Sequence, residues 1–191
     1  MSKYLIVYMH PSTDSFNGAI LQTLQEELGE TSNVRNLAEI SFIPHLTKEE
    51  YELTQKGIYS SDVEREWAFI HEAEHILFVF PLWWGSFPAI GKGYLDRVLA
   101  FGKAYELDGE EPVPLMSNKK ASLIFTTGTP KEDFMKEGLY EQVVHLIEQH
   151  IFTFCGLKLE NVLHFGDVIQ SSDSDRKKML EDIVSFAKQL D

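Results

Sequence analysis

A single cysteine, Cys155, is all that this 191-residue chain carries, so it can build neither a disulfide framework nor a cluster of thiolate ligands. The thiol lies in the apolar run Ile151-Phe152-Thr153-Phe154-Cys155 and is expected to be buried packing rather than a nucleophile. Basic residues are scarce as well. Lys and Arg total 17 against 30 Asp and Glu, a net charge of -13, and such a field repels polyanions, which excludes nucleic acid as the expected partner. Long apolar runs are missing, and the first, ending at Tyr8, is too short for a signal peptide or a membrane span. A cytoplasmic location without membrane insertion is therefore expected. Neither G-x-G-x-x-G nor a glycine–lysine phosphate loop occurs. With no repeat, low-complexity tract or linker, residues 1–191 are expected to form one domain.

What is present is an alternation of strand-length apolar runs with stretches of helical period, the pattern of a parallel α/β sheet. Tyr4 to Met9 reads as a central strand buried on both faces. Phe16, Ile20, Leu24 and Leu28 then recur at a helical spacing. Val34 to Leu37 is a second, weaker strand, and residues 44–61 read as a loop with some helix. Val63, Trp67 and Ile70 mark a helix, Ile76 to Phe80 a third strand stopped by Pro81, and Ile90 to Leu99 another helix. Ser122 to Thr126 is the fourth strand, Tyr140 to Ile151 a helix stopped by Gly156, Val162 to Phe165 the fifth strand and Met179 to Ala187 the last helix. The segment Asp108 to Asn118, with Pro112 and Pro114, reads as a loop. The fold expected is a three-layer, doubly wound, five-stranded parallel sheet of the α/β class.

In such sheets ligands sit beyond the carboxyl ends of the strands, and three loops there have distinctive contents. The first is His10-Pro11-Ser12-Thr13-Asp14-Ser15-Phe16-Asn17, where hydroxyls and free amides at a helix start suit either an anion site or plain N-capping by Ser12, Asp14 or Ser15. Asp14 itself would repel a phosphate. The second is Pro81-Leu82-Trp83-Trp84-Gly85-Ser86-Phe87-Pro88, whose aromatic faces suit stacking on a flat heterocycle and whose Gly85 permits close backbone approach. The third, Thr126-Thr127-Gly128-Thr129-Pro130, would line the opposite side of the same pocket.

Taken in order, His10-x-x-x-x-Ser15-Phe16-Asn17, Phe80-Pro81-Leu82-x-Trp84, Pro88-Ala89-Ile90-x-Lys92-Gly93, Arg97-Val98, Ala104-Tyr105 and Thr126-Thr127-Gly128 resemble the NAD(P)H:quinone oxidoreductase (diaphorase-like) family. The resemblance implies a flavodoxin-like homodimer that holds FMN, or alternatively FAD, and uses NADPH or NADH to reduce a quinone-like acceptor by a ping-pong mechanism. By analogy His10, Ser15, Phe16 and Asn17 bind the phosphate and ribityl parts. Pro81, Leu82, Trp83 and Trp84 meet the ring system, with Gly85 the cofactor-binding residue that lets the backbone approach it, and Thr126, Thr127 and Gly128 close its far edge. Tyr105 matches a tyrosine that in the family reaches the partner subunit's acceptor pocket. The family's Tyr–His pair after its Thr-Thr-Gly is replaced here by Thr129-Pro130-Lys131-Glu132-Asp133-Phe134, leaving Tyr140 as a candidate and His145 as a helix residue. Two other roles fit the same fold: a flavodoxin-type electron carrier, and an ancillary regulatory flavoprotein of a potassium-efflux system.

His71-Glu72-Ala73-Glu74-His75 matches the zinc-protease pattern H-E-x-x-H. With a core strand beginning at Ile76, His75 falls at the very end of the helix, which leaves little room for an open cleft on that face, and no metal site is expected. His45, His145, His150 and His164 show no metal-like grouping and are expected to be surface or core residues.

Overall fold

A computed structural model describes residues 3–190. A parallel sheet of five strands has the order β2-β1-β3-β6-β7, formed by β1 (Tyr4–Tyr8), β2 (Ser32–Asn36), β3 (His75–Pro81), β6 (Lys120–Thr126) and β7 (Lys158–Phe165). A separate antiparallel pair, β4 (Tyr105–Asp108) and β5 (Glu111–Pro114), lies between β3 and β6 in the chain. The helices are α1 (Phe16–Leu28), α2 (Lys48–Thr54), α3 (Ser61–Glu72), α4 (Ala89–Val98), α5 (Lys131–Lys136), α6 (Leu139–Ile147) and α7 (Asp173–Ala187).

Period-two alternation in buried strands builds the layers. Leu5, Val7 and Met9 of the first strand run point to one face, with Ile76, Phe78 and Phe80 of β3, and meet Trp67, Leu95 and Val143 of α3, α4 and α6. Tyr4, Ile6 and Tyr8, with Leu77 and Val79, point to the other face and meet Ile20 and Leu24 of α1 and Ile183 of α7. Each fully buried Leu, Ile or Val among them contributes about 1.5–3 kcal/mol of apolar transfer. Cys155 is buried, and burial pushes its thiol up to about 11, as suits a packing residue.

Three expectations change. The proline-containing segment 108–118 is half hairpin, with Leu107 opposite Pro112 and Tyr105 opposite Pro114; a proline is tolerated in a strand with a free edge. The fifth strand starts at Lys158, ahead of Val162, and steps over Glu160, since Ala121 pairs Leu159 and Ser122 pairs Asn161. His75 is the first residue of β3 rather than the end of α3, and its Nε2 lies 2.8 Å from the Ser122 hydroxyl. The two imidazoles of the H-E-x-x-H pattern thus do not share a helix. Farther along, α6 runs on into a π-helical turn, Glu148–Thr153, ahead of Gly156.

Candidate active site

Ten of the twelve residues expected to hold a cofactor line one cavity of about 310 Å³: His10, Ser15, Phe16, Asn17, Pro81, Leu82, Trp83, Thr126, Thr127 and Gly128. It opens where the strand order turns back between β1 and β3, beyond the carboxyl ends of the strands.

The β1–α1 loop is closed by its own hydrogen bonds. Tyr8 Oη donates to Ser12 O at 2.8 Å, the Asp14 amide to Ser12 Oγ at 3.0 Å, and the Ser12 amide to His10 Nδ1 at 3.1 Å. Ser15 is the residue that caps α1, its Oγ accepting from the Gly18 amide at 3.1 Å. The next two amides, of Phe16 and Asn17, have no acceptor among the described residues, as the start of a helix requires. Asn17 is buried and its Nδ2 donates to Thr126 Oγ1 at 2.8 Å, which ties the first loop to the third. Its Oδ1 is buried without a donor among the described residues.

In the β3–α4 loop, Trp83 and Ser86 exchange backbone hydrogen bonds of 3.1 and 3.0 Å around Trp84 and Gly85, whose φ angles are +53° and +73°. Two positive φ values make a type I′ turn, which glycine tolerates and tryptophan does not favour. The turn aims Trp84 into solvent, fully exposed, so Trp84 and Gly85 do not line the cavity, contrary to expectation. Trp83 does, with its ring 5.7 Å from that of His10 and edge-on to it.

The third loop is stitched to its neighbours. Leu82 N donates to Thr126 O at 2.8 Å, and Thr127 N to Phe165 O at 2.9 Å. Thr127 Oγ1 donates to Thr129 O at 2.8 Å and lies 2.9 Å from His164 Nε2. A fourth loop, after β7, adds Val168 and Ile169 to the cavity wall; their apolar pair in the polar stretch Gly166-Asp167-Val168-Ile169-Gln170 is the sequence signal for it.

Neither tyrosine candidate lines this cavity. Tyr105 stands at the start of β4, its ring edge-on to Phe154 at 4.7 Å, above a separate cleft with Lys92, His150 and Cys155. Tyr140 stacks behind the Thr127 rim, 6.0 Å from His164 and 6.3 Å from Phe125. Burial raises the pKa of both phenols. His145 lies exposed on α6.

Burial also pushes the imidazoles of His75 and His164 down to about 4, from an ordinary 6.5. Between those values the unfolded chain binds more protons than the folded one, so stability rises with pH through that window. The expected result is a melting temperature that is highest above about pH 6.5 and falls steadily toward pH 4. Thermal melts across that range check it, and His75→Gln should flatten the decline; a slope unchanged in that variant would contradict the assignment.

A doubly wound sheet with an aromatic-walled cavity at its switch point defines the flavodoxin-like class. The family model described as flavodoxin-like fold matches residues 2–187. A Haemophilus influenzae protein named an uncharacterized NAD(P)H oxidoreductase is 37% identical over 182 residues, covering 93% of this chain and 90% of its own. The Rattus norvegicus ribosyldihydronicotinamide dehydrogenase [quinone] is 34% identical over 212 residues, covering 98% of this chain and 91% of its own. A solved NAD(P)H:quinone oxidoreductase from Methanothermobacter marburgensis superposes with a TM-score of 0.90 at 29% identity over the whole of both chains. The chain belongs to the flavodoxin-like family of NAD(P)H oxidoreductases.

Proposed function

We propose that this protein is a flavin-dependent NAD(P)H oxidoreductase that passes two electrons to a quinone or a similarly flat acceptor. The observation that carries the reading is Asn17 Oδ1, an acceptor buried at the cavity with no donor among the described residues. Leaving such an atom unpaired costs about 1–3 kcal/mol, and a hydroxyl of a ribityl chain is a donor of the right kind. The amides of Phe16 and Asn17, without an acceptor among the described residues and at the positive end of the α1 dipole, suit a phosphate.

Ser15, Phe16 and Asn17, with His10, would hold the phosphate and sugar-alcohol part. Pro81, Leu82 and Trp83 would face the ring system, and Thr126, Thr127 and Gly128 its far edge. A flavin held there would supply the two-electron redox chemistry that links a nicotinamide donor to the acceptor, in the ping-pong order proposed. The chain's own share is to orient the reactants and keep water from the exchange. FMN is the proposed form for so compact a chain, with FAD the alternative. The apolar side chains left open around the mouth, Trp83, Trp84 and Ile169, support a second copy of this chain as the cover of the site. No described helix is long and apolar enough to cross a membrane, and a cytoplasmic one-domain enzyme is the proposed setting.

The test is the visible spectrum of the purified protein, taken anaerobically before and after NADPH or NADH, with the released cofactor identified by chromatography. A yellow spectrum that bleaches with nicotinamide and returns on adding a quinone is the expected result. Flavin that binds but is not reduced would leave an electron carrier or a regulatory flavoprotein. Failure to bind either flavin after reconstitution would overturn the reading.

A further inference from the structure

We propose that His164 is a positioning residue for the cavity rim, acting through the hydroxyl of Thr127. The inference rests on the flavin reading above and extends it to a residue that does not itself line the cavity. Thr127 Oγ1 is 2.8 Å from the Thr129 carbonyl and 2.9 Å from His164 Nε2. A hydroxyl has one hydrogen, and a carbonyl oxygen can only accept. The hydrogen of Thr127 therefore goes to Thr129, and Nε2 must bring its own. This assigns the Nε2–H tautomer to His164 and leaves Nδ1 as a bare lone pair, buried and without a donor among the described residues.

An apolar ring would fill the same space without stranding Nδ1. The imidazole sits among Phe125 at 4.6 Å, Phe134 at 4.9 Å and Tyr140 at 6.0 Å. What the imidazole adds to that aromatic stack is the Nε2 donor. The Thr129 carbonyl also accepts from the Asp167 amide at 3.0 Å, so the clasp joins the exits of β6 and β7. Between its two ends lies Gly128, whose amide has no acceptor among the described residues and whose α-carbon faces Ile169. A clasp of this kind holds the Thr127–Gly128–Thr129 turn in one shape while its inner amide stays free for a ligand.

The test compares apo-protein melting and FMN affinity, the latter by flavin fluorescence, in wild type, His164→Phe, His164→Gln and Thr127→Val. His164→Phe keeps the stack and removes the donor. It should melt no lower than wild type yet bind FMN about tenfold more weakly, the usual cost of one hydrogen bond in a site. His164→Gln, whose amide can replace Nε2–H, should recover most of that loss. Thr127→Val should lose a similar factor, and adding it to His164→Phe should lose little more. Wild-type affinity in His164→Phe, or a loss matched by a fall in melting temperature and not rescued by Gln, overturns the assignment. If His164→Phe does not fold, unchanged affinity in Thr127→Val overturns it equally. Wild type that binds no FMN would overturn the flavin reading and this inference together, whereas a failure confined to the variants would remove this inference alone.

Discussion

Replacing Arg97 with Met should lower the unfolding free energy by about 3–5 kcal/mol and the melting temperature by roughly 10 °C. Arg97 stands on α4 with its side chain only 5% exposed. Its guanidinium donates to Glu50 Oε1 at 2.8 Å, to Asp62 Oδ2 at 2.7 Å and to the Ile43 carbonyl at 2.6 Å. One cation thus gathers two points of the long excursion between β2 and α3, Ile43 and Glu50, together with the first turn of α3 at Asp62, and α2 is held against the body through Glu50. The hydrogen bond from Arg97 holds the Asp62 carboxyl down to about 2, against the opposing effect of burial. Methionine fills the volume but leaves both carboxylates without their counter-charge, which is the costly way to break a buried pair. Urea titration with an unchanged slope and a lower midpoint is the expected form. A loss below about 1 kcal/mol, the level of an exposed ion pair, would mean that this segment is held by other contacts.

Gly18→Ala should cut NAD(P)H turnover by on the order of a hundredfold, the scale set by a displacement of about 1 Å in a site, while overpacking costs about 1–3 kcal/mol of stability. A β-carbon at Gly18 would lie 2.6 Å from the carbonyl carbon of Thr13 and 2.9 Å from its Cα. The obstacle is backbone, so no rotamer change relieves it. Either α1 withdraws or the 10–15 loop shifts, and both alter the span from His10 to Asn17 on which the cavity's first wall depends. Steady-state kinetics and flavin titration check it. Wild-type turnover in a folded Gly18→Ala protein would show that this close approach has no bearing on the site.

How far the sequence could be read depended on how completely each element is buried. β1 and β3 are buried along their whole length, so their apolar runs are unbroken and their limits came within a residue or so of the reading. β7 lies at an edge, half-buried, and Lys158, Glu160 and Asn161 interrupt its pattern, so only the buried end at Val162 to Phe165 was legible. β5, inside the segment Asp108 to Asn118, was read as part of a loop because prolines deny strand character in general, and nothing local says that these prolines have a free side. In the site, residue types at strand ends pointed to the wall positions that the chain itself brings together. Trp84 went astray because a run of aromatics states affinity for a flat partner but not direction. Direction here comes from the Trp83–Ser86 turn, and Trp-Gly lacks the Asn-Gly or Asp-Gly signature of such turns. His164 was read as a structural residue, since its partner Thr127 is 37 positions away and no local pattern links them.

The order of the sheet leaves β2 and β7 at its margins, where unsatisfied backbone groups invite further strands from other molecules. The β7 margin is guarded. On β7 the extra residue at Glu160 breaks the regular spacing, and it sits between Lys158 at 2.6 Å and Lys120 at 3.9 Å. An incoming strand at β7 would meet an irregular ladder and a knot of charge, which discourages growth of the sheet from molecule to molecule at that edge.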